Sequence, residues 1–166
     1  MLLLLCLAVL ADLKTDRIPN GLIVLGIMIG VSDNLWYRLD LLQPAVSMFL
    51  AFIIMYPLFK IGALGAGDIK VFIMVGSFVE VKEFVVILVS AFVIGALLSL
   101  IKMLIEHNSK ERICYFLSYV SDVARTRKWK MYGEYMVQDY QLYRRNKIHF
   151  TVPILFGVVL RIGGII

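Results

Sequence analysis

Charged residues are scarce in this sequence. Only 17% of its 166 residues are charged, whereas 61% are hydrophobic. A soluble domain of this size would carry about a quarter charged residues and fewer than half apolar ones. The composition therefore predicts a single integral membrane domain over residues 1–166 and leaves no room for a second, soluble unit.

Cysteine and histidine are also rare, with two of each. Cys6 lies in an apolar run and Cys114 in a polar segment, so their spacing predicts neither a disulfide framework nor a metal site. His107 and His149 have no cysteine or serine partner at a recognisable spacing. We therefore expect no metal and no cofactor. His149 comes just before the last apolar helix, where an interface histidine is favoured over the alternative, a residue close to the functional site.

Long apolar runs take up most of the chain. A spanning helix needs about 20 apolar residues, and the third, fifth and sixth runs reach or approach that length. The first run has eleven residues, about 16 Å of helix, so it must continue through polar residues to span. It has no positively charged start, so a retained helix is expected rather than a signal peptide. The fold is predicted to be all-α, a polytopic membrane protein with about six transmembrane helices, from runs at residues 1–11, 18–31, 44–59, 69–79, 84–101 and 148–166.

The basic residues are unevenly distributed between the segments that join these runs. If six helices alternate with the amino terminus outside, the inside segments hold 14 Lys and Arg residues and the outside segments hold 3. This asymmetry is the one that the positive-inside rule expects. Ten of the 14 lie between Lys102 and Lys147, so the polar, aromatic-rich segment 102–147 before the last helix is predicted to be cytoplasmic. Its first half is predicted to form an amphipathic helix on the anionic inner leaflet, and RNA contact is disfavoured, so no nucleic acid partner is expected.

Two aspartates stand at the edges of apolar runs. Asp12 closes the first run, and Asp68 opens the fourth run directly after Gly65-Ala66-Gly67. An ionisable residue at such a position is costly unless it has a function. The alternating topology places both at cytoplasmic helix ends, where two carboxylates sharing a site cannot both ionise cheaply. One would take a proton from water, and the other would polarise a peptide carbonyl and then serve the leaving amine. We interpret Asp12 and Asp68 as a catalytic pair.

Each aspartate also has a simpler interpretation. Asp68 is well placed to cap the fourth helix, and Asp12 could mark the membrane edge. Asp16 lies one helical turn after Asp12 and is its rival, although Asp12 is nearer the apolar run and is expected to be the more desolvated of the two. Gly65 and Gly67 would let the backbone approach a substrate strand and adopt angles closed to other residues.

A function of another class would use the same acids. In an ion-coupled small transporter or a membrane assembly subunit, the aspartates would carry protons or hold helices together. A transporter of six short helices would usually show inverted halves, and the sequence shows none. The interpretation of Asp12 and Asp68 as a catalytic pair is therefore preferred.

The two aspartate motifs together resemble a known family. The run Asp12-Leu-Lys-Thr-Asp-Arg-Ile-Pro-Asn20 and the run Gly65-Ala-Gly-Asp-Ile-Lys70 are similar to those of type IV prepilin peptidases, the GxGD aspartyl proteases of the bacterial inner membrane. The similarity is greatest to the short forms associated with Flp/Tad-type pili, and archaeal preflagellin peptidases are relatives. In this family an aspartate precedes Ile-Pro-Asn by six residues, which Asp12 matches and Asp16 does not. The second catalytic aspartate would be Asp68.

The resemblance extends to the end of the chain and to residues that would bind the substrate or shape the site. The segment Phe150-Thr-Val-Pro153-Ile-Leu-Phe-Gly157 is similar to the proline-containing helix that closes the family's fold. The residues expected to bind substrate or shape the site are Pro19, Asn20, Gly65, Gly67, Lys70 and Pro153.

The family implies an activity, a substrate and a location. The expected reaction is removal of a short basic leader from prepilin-like proteins at the cytoplasmic face of the inner membrane, in which the chain would be a multi-pass protein. Its partners would be the prepilin-like substrate and the lipid bilayer, with a pilus-assembly protein on segment 102–147 as a hypothesis from its length and charge. Long forms also methylate the new amino terminus and carry an amino-terminal cytoplasmic domain. Because Asp12 follows so soon after Met1, we expect leader removal without methyltransferase activity.

Overall fold

Helices make up most of the chain where its structure is described. The computed structural model describes residues 1–38, 40–105 and 149–165, together with Ser121 and Arg125. Those three ranges contain no strand, which confirms the all-α prediction, and a π-helical segment, Asn34–Arg38, directly follows the second helix. The α-helices are α1 (Leu2–Thr15), α2 (Asn20–Asp33), α3 (Leu42–Lys60), α4 (Ala66–Gly76), α5 (Val81–Ile105) and α6 (Thr151–Ile162).

The predicted polar segment 102–147 is only partly covered. Its first four residues, 102–105, continue α5. The rest, with its predicted amphipathic helix, lies outside the described residues apart from Ser121 and Arg125, as do His107 and Cys114.

Side-chain contacts at the helix ends show how the helices run. At one end of the bundle, Thr151 at the start of α6 bonds Asp12 near the end of α1. At the same end, Lys70 of α4 bonds Asn20 at the start of α2. We call this the Asp12 end.

The opposite end of the bundle is held by a different set of contacts. Asn34, just after α2, bonds the carbonyl of Ser77, just after α4. Ser47 near the start of α3 bonds the carbonyl of Val79 just before α5. We call this the Ser77 end. Consecutive helices from α1 to α5 therefore run in opposite directions, as alternating spans require.

Helix α4 lies at the centre of the bundle. Six of its eleven residues are buried, and it packs on α2 and α3 while also contacting α5 and α6. Its Phe72 is fully buried, with its ring centroid 6.3 Å from Phe84 of α5 and 6.2 Å from Phe150. Phe150 also lies 5.2 Å from Phe92. These aromatic contacts fix the first turn of α6 against α4 and α5.

Two helices have the length and composition of membrane spans. They are α3, Leu42–Lys60, with a mean hydropathy of 1.8, and the part of α5 from Val81 to Lys102, with a mean hydropathy of 2.9. Only 22% and 28% of their most apolar windows are buried, so most of their apolar side chains face outward. A soluble core helix would be largely covered, so these two helices fit a membrane protein.

The other helices are shorter than a typical span. Helix α1 continues past Asp12 to Thr15, as its short apolar run required. The expectation that the sixth run approaches spanning length is wrong for α6, which has 12 residues and ends at Ile162, followed by Gly163 and by Gly164 with a φ of 67°. Glycine in this left-handed conformation terminates helices readily. The number of six spans stays a prediction.

Candidate active site

Asp12 lies at the end of the buried stripe of α1. The buried residues of this helix recur at the spacing of one helical face, and Asp12 is the last of them: Leu4, Leu5, Ala8, Val9 and Asp12. Its exposure is only 6%. The Oγ1 hydroxyl of Thr151 donates a hydrogen bond of 2.8 Å to the Oδ2 atom of Asp12. The helical periodicity that packs α1 into the bundle therefore also carries this carboxylate into the interior.

The start of α6 provides the surroundings of Asp12. Thr151 is the first residue of α6 and is fully buried, and Pro153 is buried in the same turn. A proline fits the first turn of a helix because the amide it lacks has no partner there. His149, just before α6, has its Nδ1 atom 3.1 Å from Oδ2 of Asp12. Sequence reasoning favoured an interface histidine at this position, and the structure places it beside the aspartate.

Asp16 is close to the same cluster but differs from Asp12 in its surroundings. It follows the last residue of α1 with a φ of 54°, and its amide donates to the carbonyl of Asp12 at 2.9 Å. Its Oδ1 atom lies 3.8 Å from Nε2 of His149. Asp16 is half-buried, whereas Asp12 is buried. This confirms the expectation that Asp12 is the more desolvated of the two.

Asp68 lies in the first turn of α4. Its Oδ2 atom accepts a hydrogen bond of 3.1 Å from the amide of Gly65, and its own amide donates to the carbonyl of Gly65 at 3.2 Å. The side chain is half-buried. The helix-capping interpretation is therefore confirmed by the geometry, and the catalytic interpretation of Asp68 stays a prediction. A carboxylate that caps a helix amino terminus is also held in one orientation and stabilised as an anion.

The two glycines of the motif do not have the backbone angles that were expected. Gly65 has φ −78° and ψ 153°, which other residues adopt readily, and Gly67 lies inside α4. The expectation of angles closed to other residues is therefore wrong. What Gly67 permits is close packing, because a Cβ atom there would lie 3.1 Å from Cδ1 of Ile18.

The Ile-Pro-Asn segment is held against the start of α4. Ile18 is buried against Gly67, and the Nζ atom of Lys70 donates a hydrogen bond of 2.7 Å to Oδ1 of Asn20. Pro19 precedes α2, and its carbonyl accepts the amide of Leu22 at 3.1 Å. Two motifs that are about fifty residues apart in sequence are thus joined by one apolar and one polar contact.

Some of the predicted site residues contact one another, whereas Asp12 and Asp68 each contact a different partner. The Ile-Pro-Asn segment meets the glycine motif, and Asp12 meets α6. Asp12 and Asp68 lie on helices whose ends meet at the Asp12 end. Asp12 is bonded there to Thr151, and Asp68 is bonded to the amide of Gly65. That the two carboxylates act as a pair stays a prediction.

Two expectations about the site concern metal ligands and the residues that contact Asp12. Within the described ranges no group of three or more His, Cys, Asp or Glu residues could hold a metal ion. Thr151 was missed by sequence reasoning altogether, and His149 was given the lesser weight. A signal for both existed, since they are polar residues at the start of an apolar helix, on the side of the membrane predicted for the aspartates.

Comparison with known proteins agrees with the motifs. The model of the type IV leader peptidase family matches residues 1–100, which include Asp12, the Ile-Pro-Asn segment and the glycine motif with Asp68. The match stops before α6. No curated protein and no solved structure matches the chain significantly. A family model that covers this much of the chain, and both aspartate motifs, identifies it: the chain belongs to the type IV leader peptidase family.

Proposed function

We propose that the protein is an intramembrane aspartic endopeptidase that uses Asp12 and Asp68. It removes the short basic leader from type IV prepilin-like substrates at the cytoplasmic face of the inner membrane. Membership of the leader peptidase family supports the reaction class. The observation that supports these two residues is the burial of Asp12 at the bundle end where the first turn of α4 carries Asp68.

The proposed reaction needs only water and the two carboxyl groups. One carboxylate takes a proton from water as the water oxygen bonds to the scissile carbonyl carbon. The other, protonated, carboxyl group donates a hydrogen bond to the carbonyl oxygen. The carbon–nitrogen bond then breaks as the leaving amine takes up a proton, and the products are a free carboxylate on the leader and a free amine on the pilin.

The acidic residues at this end of the bundle would favour a basic substrate. Asp12, Asp16 and Asp68 lie at the helix ends that form the Asp12 end and would attract a basic leader. Lys14, Lys60 and Lys70 lie at the same end, so the attraction is local to the acidic side chains and does not come from a net negative charge. The mature subunit would keep its apolar helix in the bilayer beside the outward-facing apolar side chains of the enzyme. A membrane location is supported by α3 and α5, the two helices long and apolar enough to span.

The test is leader removal by aspartate variants in lipid. Asp12→Asn and Asp68→Asn each keep the shape of the side chain and a carbonyl oxygen that can accept the bonds from Thr151 and Gly65. The fold should therefore persist. Loss of general acid or base catalysis should lower the rate of leader removal by about 10²–10⁴-fold. The measurement is the fraction of co-expressed prepilin that is processed over time, at matched levels of membrane-inserted enzyme.

Two controls make the result specific. Asp33→Asn removes a charge from an exposed residue at the end of α2, at the Ser77 end, and should leave processing unchanged. Asp16→Asn tests the rival acid and should reduce processing less than Asp12→Asn does. If the Asp12 and Asp68 variants process prepilin at the native rate, the aspartates hold helices together and the proposed mechanism is wrong.

A further inference from the structure

The contacts of Asp12 are unequal on its two carboxylate oxygens. Thr151 donates to Oδ2 at 2.8 Å, and Nδ1 of His149 lies 3.1 Å from that same oxygen. Both partners come from the start of α6, and Thr151 is 139 residues from Asp12 in sequence. This part of the chain lies outside the matched range 1–100. The other oxygen, Oδ1, takes part in neither contact.

We propose that Thr151 and His149 are positioning residues that hold Oδ2 of Asp12, so that Oδ1 is presented to the attacking water and the scissile peptide. The inference rests on the proposed function of Asp12. The terminal torsion of an aspartate is broad, so an unrestrained carboxylate turns over a wide range. Holding one oxygen by a charge-assisted hydrogen bond fixes the direction of the other before the substrate arrives.

Thr151 has the rigidity that this role requires. Its β-branched side chain has few rotamers, and it is fully buried. Its neighbour Phe150 packs against Phe72 of α4 and Phe92 of α5, with ring centroids 6.2 Å and 5.2 Å away. The backbone that carries the hydroxyl is therefore held against α4 and α5.

His149 supplies a second and independent observation. Its Nδ1 atom is buried and has no aligned hydrogen-bond partner, although Oδ2 of Asp12 is only 3.1 Å away. A buried polar nitrogen without a partner is costly. A small rotation of the ring or of the carboxylate would align the two atoms, and such contacts often tighten only when substrate is bound. On the other side of the ring, Nε2 lies 3.8 Å from Oδ1 of Asp16.

The first test compares two variants of Thr151. Thr151→Val keeps the shape but removes the hydroxyl, whereas Thr151→Ser keeps the hydroxyl. In steady-state cleavage of purified prepilin in lipid, Thr151→Val should lower kcat by about 10–100-fold with KM changed less than about twofold, because transition-state geometry is lost and substrate binding is kept. Thr151→Ser should stay within about threefold of the native kcat. A native kcat for Thr151→Val overturns the inference, and so does an equal loss in both variants, which would indicate packing alone.

The second test distinguishes the two nitrogens of His149. Asparagine places an amide nitrogen near the position of Nδ1, and glutamine places one near the position of Nε2. His149→Asn should therefore retain more of the native kcat than His149→Gln. Equal values, or the reverse order, would contradict positioning through Nδ1. This comparison also decides the matter if Thr151→Val fails to fold, as judged by thermal unfolding in detergent.

Asp12→Asn is measured in the same assay so that the two proposals fail separately. If Asp12→Asn cleaves at the native rate, the proposed function is wrong and the inference falls with it. If Asp12→Asn is inactive while Thr151→Val is fully active, only the positioning role is wrong. Inactive Asp12→Asn with the expected order among the Thr151 and His149 variants supports both.

Discussion

A substitution at Gly30 would test the packing that sets α2 against α4. A Cβ atom at Gly30 would first meet the Oγ atom of Ser77, and would lie 2.8 Å from the carbonyl oxygen of Ser77 and 2.9 Å from its carbonyl carbon. The hydroxyl can turn aside, but the two carbonyl atoms belong to the backbone and cannot. Asn34 donates to the carbonyl of Gly30 at 2.8 Å and to that of Ser77 at 2.9 Å, so Gly30→Ala should also disturb a buried polar bridge.

The expected magnitude follows from three contributions. Inserting a methyl group into a packed contact costs about 1–3 kcal/mol. Weakening the buried bonds of Asn34, which is 2% exposed, costs about 1–2 kcal/mol more if the carbonyl of Ser77 is left unpaired. Alanine recovers about 1 kcal/mol over glycine inside a helix. The net expectation is that Gly30→Ala lowers the free energy of unfolding by about 1–4 kcal/mol.

Helix α2 offers a matched control. Gly21 lies in the first turn of the same helix, and a Cβ atom there would meet no atom within 4 Å. Gly21→Ala should therefore leave stability unchanged or raise it by up to about 1 kcal/mol. The same chemical change on the same helix thus has opposite expected signs.

Reversible unfolding in mixed detergent micelles would measure both variants, and leader removal would be assayed at low temperature. Because Gly30 lies at the Ser77 end, folded Gly30→Ala should keep leader removal within about twofold of the native rate. A Gly30→Ala protein as stable as Gly21→Ala would refute the close backbone contact between α2 and α4. Loss of activity in the fully folded variant would refute the separation of this contact from the site.

Two further predictions concern one packing contact and one ion pair. Gly67→Ala should destabilise the chain and slow leader removal, because the new Cβ atom would lie 3.1 Å from Cδ1 of Ile18. Ile18→Val removes that Cδ1 atom and should reduce the destabilisation. A double-mutant cycle should therefore give a coupling energy of about 0.5–2 kcal/mol. A double variant that is stable but inactive would instead show that the substrate backbone needs this glycine. At the Ser77 end, Arg161 and Glu83 form a 3.1 Å ion pair with side chains about a third exposed, so Glu83→Gln should cost less than about 1 kcal/mol of unfolding free energy. The cost should fall further in 1 M salt, and a cost that salt leaves unchanged would rule out a screened ion pair.

The amino-acid sequence alone determined the class of the fold and the most informative motifs. Apolar runs bounded by Pro19, Gly65 and the acidic residues predicted helices close to α1 to α5, because backbone groups in an apolar environment must bond within their own helix. The last run was predicted to be longer than α6. The glycine motif and the Ile-Pro-Asn segment, at their spacing from Asp68 and Asp12, identified the family that the comparison then showed. These features are local, so a linear reading captures them.

Only the tertiary structure decided which residues meet. Thr151 and His149 contact Asp12. Ile18 packs against Gly67, and Gly30 packs against the backbone of Ser77. In a water-soluble helix the apolar stripe marks the buried face, but in a membrane protein the lipid-facing side is apolar too. Periodicity therefore cannot say which face packs on protein, and the contacts depend on close fits between helices that are far apart along the chain.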